Sequence, residues 1–195
     1  MDSMFKHYKK IPIDETYNLF IFENEFLPQV SEFVAQVYYN KKYYHFDCGL
    51  DDLIDQMKGL DKASSEAMLL YLVIDSEEQI CCTARLLRKL DANVQLPIES
   101  EFEIDLNLFD AENIYEFARF ASNGKITFYA IQKMLQQMIY TINIENSLVF
   151  ASIDRRVYNS FVRLGYPIYK IGKTSFYMGT ETLPVGIKMT ELDKI

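Results

Sequence analysis

Side chains able to act as nucleophiles, bases or metal ligands are scarce in this sequence. Its only histidines are His7 and His45, and its only cysteines are Cys48, Cys81 and Cys82. A Ser-His-Asp or Cys-His hydrolase would therefore have to be built on one of two imidazoles. No Cys or His pair has zinc-ligand spacing, so no metal site is expected. Adjacent Cys81 and Cys82 would point to opposite faces of a strand, and three thiols imply no disulfide framework; reduced cysteines in the cytoplasm fit best. Carboxylates and cationic side chains are plentiful, 28 Asp or Glu and 20 Lys or Arg, and residue type alone singles out none of them. Glu116 and Arg119 fall in the strand-like run 113–122, and Arg85 in the run 79–87. A carboxylate partly desolvated in a strand has its pKa raised toward values useful for proton transfer. Three residues apart, Glu116 and Arg119 would face opposite sides of a regular strand.

The elements that must position these groups follow from pattern. Residues 17–22 read as a first strand and 29–40 as a helix entered after Pro28. The stretch 43–62 carries Asp47, Asp51, Asp52, Asp55 and Asp61 and is expected as short helical turns over one end of the sheet. Strands are expected at 69–75 and 79–87 around the turn 76–78, because Tyr, Val, Ile, Cys and Thr at this length favour strand. Residues 90–110, with Pro97, read as a connection with room for one helical turn, 113–122 as a strand, and Asn123-Gly124 as a turn. The clearest helix is 127–144, where Ile131, Met134, Leu135, Met138, Ile139 and Ile142 form one apolar stripe. A buried strand at 147–153 leads to Asp154 as N-cap of a helix that turns Val157, Phe161 and Leu164 inward and stops at Gly165. Further strands are expected at 166–171, 175–178 and 185–189. The sum is α/β: a mixed sheet flanked by helices, with no repeat or linker to divide 1–195 into more than one domain.

Composition narrows the class. With 49% apolar and 25% charged residues over 195 positions, the chain is globular rather than disordered. Its start lacks the apolar stretch of a signal peptide, and no run approaches the roughly 18 apolar residues that span a bilayer. Fourteen Tyr and fourteen Phe with no Trp make an aromatic-rich interior, as ordinary core or as the lining of a pocket. The net charge of −8 is unevenly spread. Residues 1–118 hold 10 Lys or Arg against 23 Asp or Glu, whereas 119–175 hold 8 against 2. The basic part is either a solvated surface or a docking face for an acidic partner. Nucleic acid is a poor partner, since the acidic part would repel a continuing phosphate backbone.

Three stretches, in order, resemble the acyl-homoserine-lactone (autoinducer) synthases and their N-acyl amino acid synthase relatives within the GNAT superfamily. Ile80-Cys81-Cys82-Thr83-Ala84-Arg85-Leu86-Leu87 is similar to a hydrophobic strand ending in Ala-Arg-Leu-Leu. Glu116-Phe117-Ala118-Arg119-Phe120 is similar to Glu-x-Ser-Arg-Phe. Residues 154–166 have the spacing of the Asn-x-x-Ala-x-x-x-Tyr-x-x-x-Gly-Phe helix, with Val157, Phe161, Gly165 and Tyr166 at matching places. The resemblance implies a GNAT-like fold, with 66–195 as catalytic core and 1–65 as a cap on the acceptor side. It implies transfer of an acyl group from a thioester to a small primary amine, with Glu116 as base, usually through water. Such chemistry needs a base, an oxyanion donor and a slot for both reactants. Family members carry a bulge in this strand. A bulge between Phe117 and Ser122 would change the facing, free a backbone N–H among Phe120, Ala121 and Ser122 for the thioester carbonyl, and let Arg119 orient the acceptor or brace Glu116. Arg85, Asp47 and Asp52 are the acceptor-side candidates, while ion pairing of both arginines with the acidic segment 47–55 is the alternative. Phe117, Met134, Met138 and Phe150 could line an acyl channel or be plain core.

Departures from the pattern refine what is implied. Ordinary acetyltransferases cradle the coenzyme A pyrophosphate in a Gln/Arg-x-x-Gly-x-Gly/Ala loop, but 122–126 offers only Gly124. A carrier-protein phosphopantetheine thioester fits better than acyl-coenzyme A. No cofactor is expected to be tightly bound. Acyl carrier protein is acidic, and Lys125, Lys133, Arg155, Arg156, Arg163, Lys170 and Lys173 are its candidate docking residues. The tyrosine that many acetyltransferases use as general acid is Phe161 here, leaving solvent, the carrier protein or a hydroxyl such as Tyr158 to assist thiolate departure. Homoserine-lactone synthases hold S-adenosylmethionine with an N-terminal Arg and Trp, yet this chain has no Trp and no Arg before Arg85. A free amino acid or another small amine stands as acceptor beside it. The rival readings are an acyl-coenzyme A N-acetyltransferase and a non-catalytic acyl or carrier-protein binding module.

Overall fold

The computed structural model describes residues 8–63, 68–142 and 146–189; His7 and the end of the helix expected at 127–144 lie outside them. In chain order the elements are β1 (Lys10–Pro12), β2 (Asn18–Phe22), α1 (Leu27–Tyr39), α2 (Leu50–Ala63), β3 (Met68–Ile74), β4 (Ile80–Arg88), α3 (Pro97–Phe102), β5 (Asn113–Ser122), α4 (Phe128–Thr141), β6 (Ser147–Asp154), α5 (Arg155–Arg163), β7 (Ile168–Lys170), β8 (Ser175–Tyr177) and β9 (Thr180–Lys188). Among the described residues nine strands form one sheet in the order β1-β2-β3-β4-β5-β6-β9-β7, with β8 paired to β9. All pairings are antiparallel except β5 with β6.

β3 reads Met-Leu-Leu-Tyr-Leu-Val-Ile, a near-continuous apolar run, because both faces of the sheet are covered. On one face, Val30, Val34, Leu53, Met57 and Ile98 from α1, α2 and α3 pack on Leu70, Leu72, Leu87 and Phe150. On the other, Ala130, Met134 and Met138 of α4 pack on Tyr71, Val73, Ala84 and Val149. The residues before β3 belong to the same assembly: β1 and β2 continue the sheet and α1 and α2 cover its face. No described helix is long and apolar enough to cross a membrane.

Three expectations about elements change. The acidic stretch 43–62 contains a regular helix, α2, whose Leu53 and Met57 turn inward while Asp51, Asp52 and Asp55 form its solvent face. Asp51 and Asp52 in its first turn also favour the helix dipole. Second, β9 begins at Thr180 rather than near 185, joined to β8 by the two-residue loop Met178-Gly179. Both loop residues have positive φ, 48° and 79°, as a type I′ hairpin requires. Third, α5 has Asp154 as N-cap, accepting from the Arg156 N–H at 2.6 Å, and ends before Gly165 at φ 77°, but its apolar residues do not turn inward. No residue of α5 is buried; Val157 is 40% and Leu164 68% exposed, and Phe161 rests on Tyr166.

Candidate active site

Two irregularities in the sheet make the site. The parallel ladder of β5 and β6 stops at the pair Phe117 and Ala151, although β5 continues to Ser122 and β6 to Asp154, so the strands part and leave a wedge. Beside it, Thr83 pairs with Ala121 and Arg85 with Ala118, so the single residue Ala84 opposes both Arg119 and Phe120. This is the bulge expected between Phe117 and Ser122, and it brings Arg119 round to the face that carries Glu116 and Arg85. Arg119 takes a left-handed φ of 53°, which costs a non-glycine residue about 1 kcal/mol or more. Burial of its guanidinium in an ion pair holds it there.

That ion pair was not legible at the positions expected. Asp47, Asp51, Asp52 and Asp55 are exposed, and the acid that holds the arginines is Asp61, one turn beyond Met57 on the buried side of α2. Asp61 is fully buried, and its Oδ1 accepts from Arg85 Nη1 at 2.7 Å and from Arg119 Nε at 2.8 Å. Ser31 Oγ lies 2.8 Å from both Asp61 Oδ2 and the Leu27 carbonyl, so its one proton serves one of them at a time. A signal was available: Leu53, Met57 and Asp61 are spaced i, i+4, i+8, and a carboxylate ending an apolar stripe asks for a buried partner.

Glu116 is 3% exposed and accepts the Ile98 N–H on Oε2 at 3.1 Å. Ile98 is held by the lobe around α3, where Glu99 accepts from the Leu96 and Leu106 N–H groups and from Lys89 Nζ at 2.6 Å. Burial raises the Glu116 pKa to about 7, overcoming the opposing pull of the Ile98 N–H, Arg85 and Arg119, with Glu99 adding to the rise. A base is most effective near the working pH, and this carboxylate lies there.

Glu116, Arg85 and Arg119 line a cavity of about 50 Å³ with Tyr38, Tyr44, Ser152, Asp154, Tyr177, Thr180 and Thr182. It has room for a few waters at roughly 10–15 Å³ each, and no room for an acyl chain. The phenols were not foreseen. Desolvation pushes Tyr38 up to about 12 and raises Tyr44 and Tyr177, so all three remain protonated at neutral pH. Tyr38 donates to the Phe120 carbonyl of the bulge at 3.2 Å. Tyr177 shares the cavity with Arg119, whose positive charge pulls the phenol pKa back without outweighing burial, and the phenol keeps its own proton. Tyr158 is not among the cavity residues; its ring lies beneath Lys170.

Other predicted residues are scattered. Phe120 sits in the bulge, while Ala121 and Ser122 return to the ladder against Thr83 and Cys82. The four acyl-pocket candidates do not meet: Met134, Met138 and Phe117 pack under α4, but Phe150 is on the opposite face, against Phe109. Strand alternation requires this, since Phe150 pairs with Glu116 and Phe117 with Ala151. Asp47 and Asp52 do not line the cavity. Lys125, Lys133, Arg155, Arg156, Arg163, Lys170 and Lys173 are all exposed; Arg155 pairs with Glu181 at 3.1 Å, and Arg156 lies 4.1 Å from the centre of the Tyr43 ring. Among the described residues no group of three or more His, Cys, Asp or Glu could hold a metal ion.

No protein-family model and no curated protein matches the sequence. Solved structures do. FeeM, an N-acyl amino acid synthase from uncultured soil microbes, aligns over 96% of this chain and 94% of its own with a TM-score of 0.65 and 13% identity. The acyl-homoserine-lactone synthase LasI aligns over 93% and 91% with a TM-score of 0.59 and 16% identity. A GNAT-family acetyltransferase from Staphylococcus aureus Mu50 aligns over 89% and 99% with a TM-score of 0.54 and 11% identity. The chain has the GNAT fold.

Proposed function

We propose that this protein is an N-acyltransferase that moves an acyl group from a thioester to a small primary amine, with Glu116 as the base. The observation that carries the reading is a buried carboxylate of pKa about 7 beside a wedge between parting parallel strands. The amine enters the cavity, Glu116 takes its proton directly or through one water, and the new N–C bond forms as the C–S bond breaks. Tyr177, protonated and beside Arg119 in the cavity wall, supplies the proton that the departing thiolate takes up. The bulge at Arg119 and Phe120 presents backbone toward the thioester carbonyl.

Acyl carrier protein is the favoured donor. The glycine-rich pyrophosphate loop is missing, and seven exposed Lys and Arg residues follow the wedge in sequence. Residues 1–65 contribute Tyr38, Tyr44 and Asp61 to the acceptor side. An acceptor with a carboxylate, such as an amino acid, is favoured over S-adenosylmethionine. Arg85 lines the cavity with a buried Nε that lacks a partner among the described residues, and the N-terminal Trp and Arg are missing. The protein is expected to work in the cytoplasm. The test is thiol release from octanoyl carrier protein and octanoyl-coenzyme A, each with a panel of amino acids and simple amines. Amine-dependent release supports the reading; thioester binding with no release for any amine leaves a binding module instead.

A further inference from the structure

Lys41 occupies an unusual place for a lysine that no catalytic role has absorbed. It follows α1, and its backbone is pinned: its N–H donates to the Tyr38 carbonyl at 3.0 Å and its carbonyl accepts from the Tyr44 N–H at 3.0 Å. The side chain is partly buried, and its Nζ lies 5.4 Å from the centre of the Tyr38 ring and 5.2 Å from that of Tyr44. Both rings line the cavity with Glu116, and Lys41 lies behind them rather than in the lining itself. The hydroxyl of Tyr38 donates to Phe120 in the bulge, so one ring connects the Lys41 amine to the place where a thioester carbonyl is expected. Lys42, the next residue, is exposed and provides an internal comparison.

We propose that Lys41 is a site of self-acylation: when no free amine occupies the cavity, its Nε takes the acyl group from the bound thioester. This rests on the acyl-transfer reading above. A bond forms between Nε and the acyl carbon, the C–S bond breaks, and Glu116 receives the amine proton. The departing thiolate takes a proton from Tyr177, which regains it from Glu116 through solvent, so the products are the free thiol and lysine acylated on its side-chain nitrogen. No oxidant or further co-reactant is needed.

The surroundings suit a lysine that must be neutral to react. Desolvation lowers its pKa, opposed by Asp154; the other groups facing it are the neutral phenols Tyr38 and Tyr44, with Tyr43 and Arg156 beyond. Acylation removes the charge and its contact with the two rings. It also leaves an alkyl chain against the Tyr38 and Tyr44 rings, outside the small cavity, where it would hinder approach of the acceptor. The modification is thus self-limiting for the enzyme and is suppressed by acceptor amine.

The test is peptide mapping by mass spectrometry after incubating the full chain with octanoyl carrier protein, and separately octanoyl-coenzyme A, without added amine. The expected result is one octanoyl adduct at Lys41, at least about tenfold over Lys42, a modest advantage for a positioned nucleophile. It should be lost in Glu116→Gln and fall as acceptor amine is added. Equal labelling of Lys41, Lys42, Lys125 and Lys133, or persistence in Glu116→Gln, would mean chemical acylation and overturn the proposal. Amine-dependent thiol release with Lys41 unlabelled would overturn it while leaving the acyl-transfer reading intact. Absence of both release and adduct would sink the two together.

Discussion

Replacing Asp61 by Asn keeps the shape of the side chain and removes the one negative charge shared by Arg85 and Arg119. Two consequences follow with opposite readouts. The fold loses stability, because breaking a buried ion pair from one side costs about 3–5 kcal/mol. The field at Glu116 also becomes more positive, because both arginines already pull its pKa down and Asp61 no longer offsets them. For a generic separation of about 7 Å and an effective dielectric of about 20, one unit charge is worth at most about 2 kcal/mol, an upper bound of about one to two pH units. The acid limb of the kcat/KM profile is therefore expected to move from about 7 down toward about 5–6, while the plateau falls as Arg119 loses its anchor. The assay is initial-rate thiol release between pH 4.5 and 9 (about the Glu116 range), limited to conditions where circular dichroism finds the variant folded. An acid limb that stays near 7 or moves upward would refute this electrostatic account.

Glu116→Gln should show the same carboxylate in stability. The folded pKa is raised above the ordinary value, so the wild type is favoured at low pH and loses stability as pH rises from 4.5 to about 7. The variant lacks this loss and should gain about 3 kcal/mol relative to wild type between pH 4 and pH 8, read by denaturant unfolding. Tyr177→Phe should lower kcat about tenfold to a hundredfold with little change in KM, and a thioester with a more acidic leaving thiol should restore much of the loss. Reversing Arg163 and Lys173 to Glu should raise KM for octanoyl carrier protein several-fold and leave octanoyl-coenzyme A unaffected; equal effects on both donors would remove these residues from docking.

The sheet was legible because its strands are long and apolar, while the bulge was expected only through the family resemblance, since regular strand geometry puts Glu116 and Arg119 on opposite sides. α2 was obscured by its acids, which read as short helical turns but form one face of a single regular helix. Asp61 was missed for the same reason: among five aspartates in 47–61, only facing separates a solvent residue from the buried anchor of two arginines. The aromatic wall was beyond reach, since Tyr38, Tyr44 and Tyr177 come from α1, the following loop and β8, which meet only in the folded chain. α5 shows the converse: its apolar spacing predicted an inward face that the fold leaves exposed.

The central claim is that the carboxylate of Glu116 accepts the proton of an attacking amine. It is tested most directly by following formation of the N-acylated product as a function of pH, by mass spectrometry, in wild type and Glu116→Gln. The wild type should form product with a midpoint near pH 7, and the variant should form it at least about a hundredfold more slowly. Product formed by the variant at the wild-type rate and with the same midpoint would contradict the account.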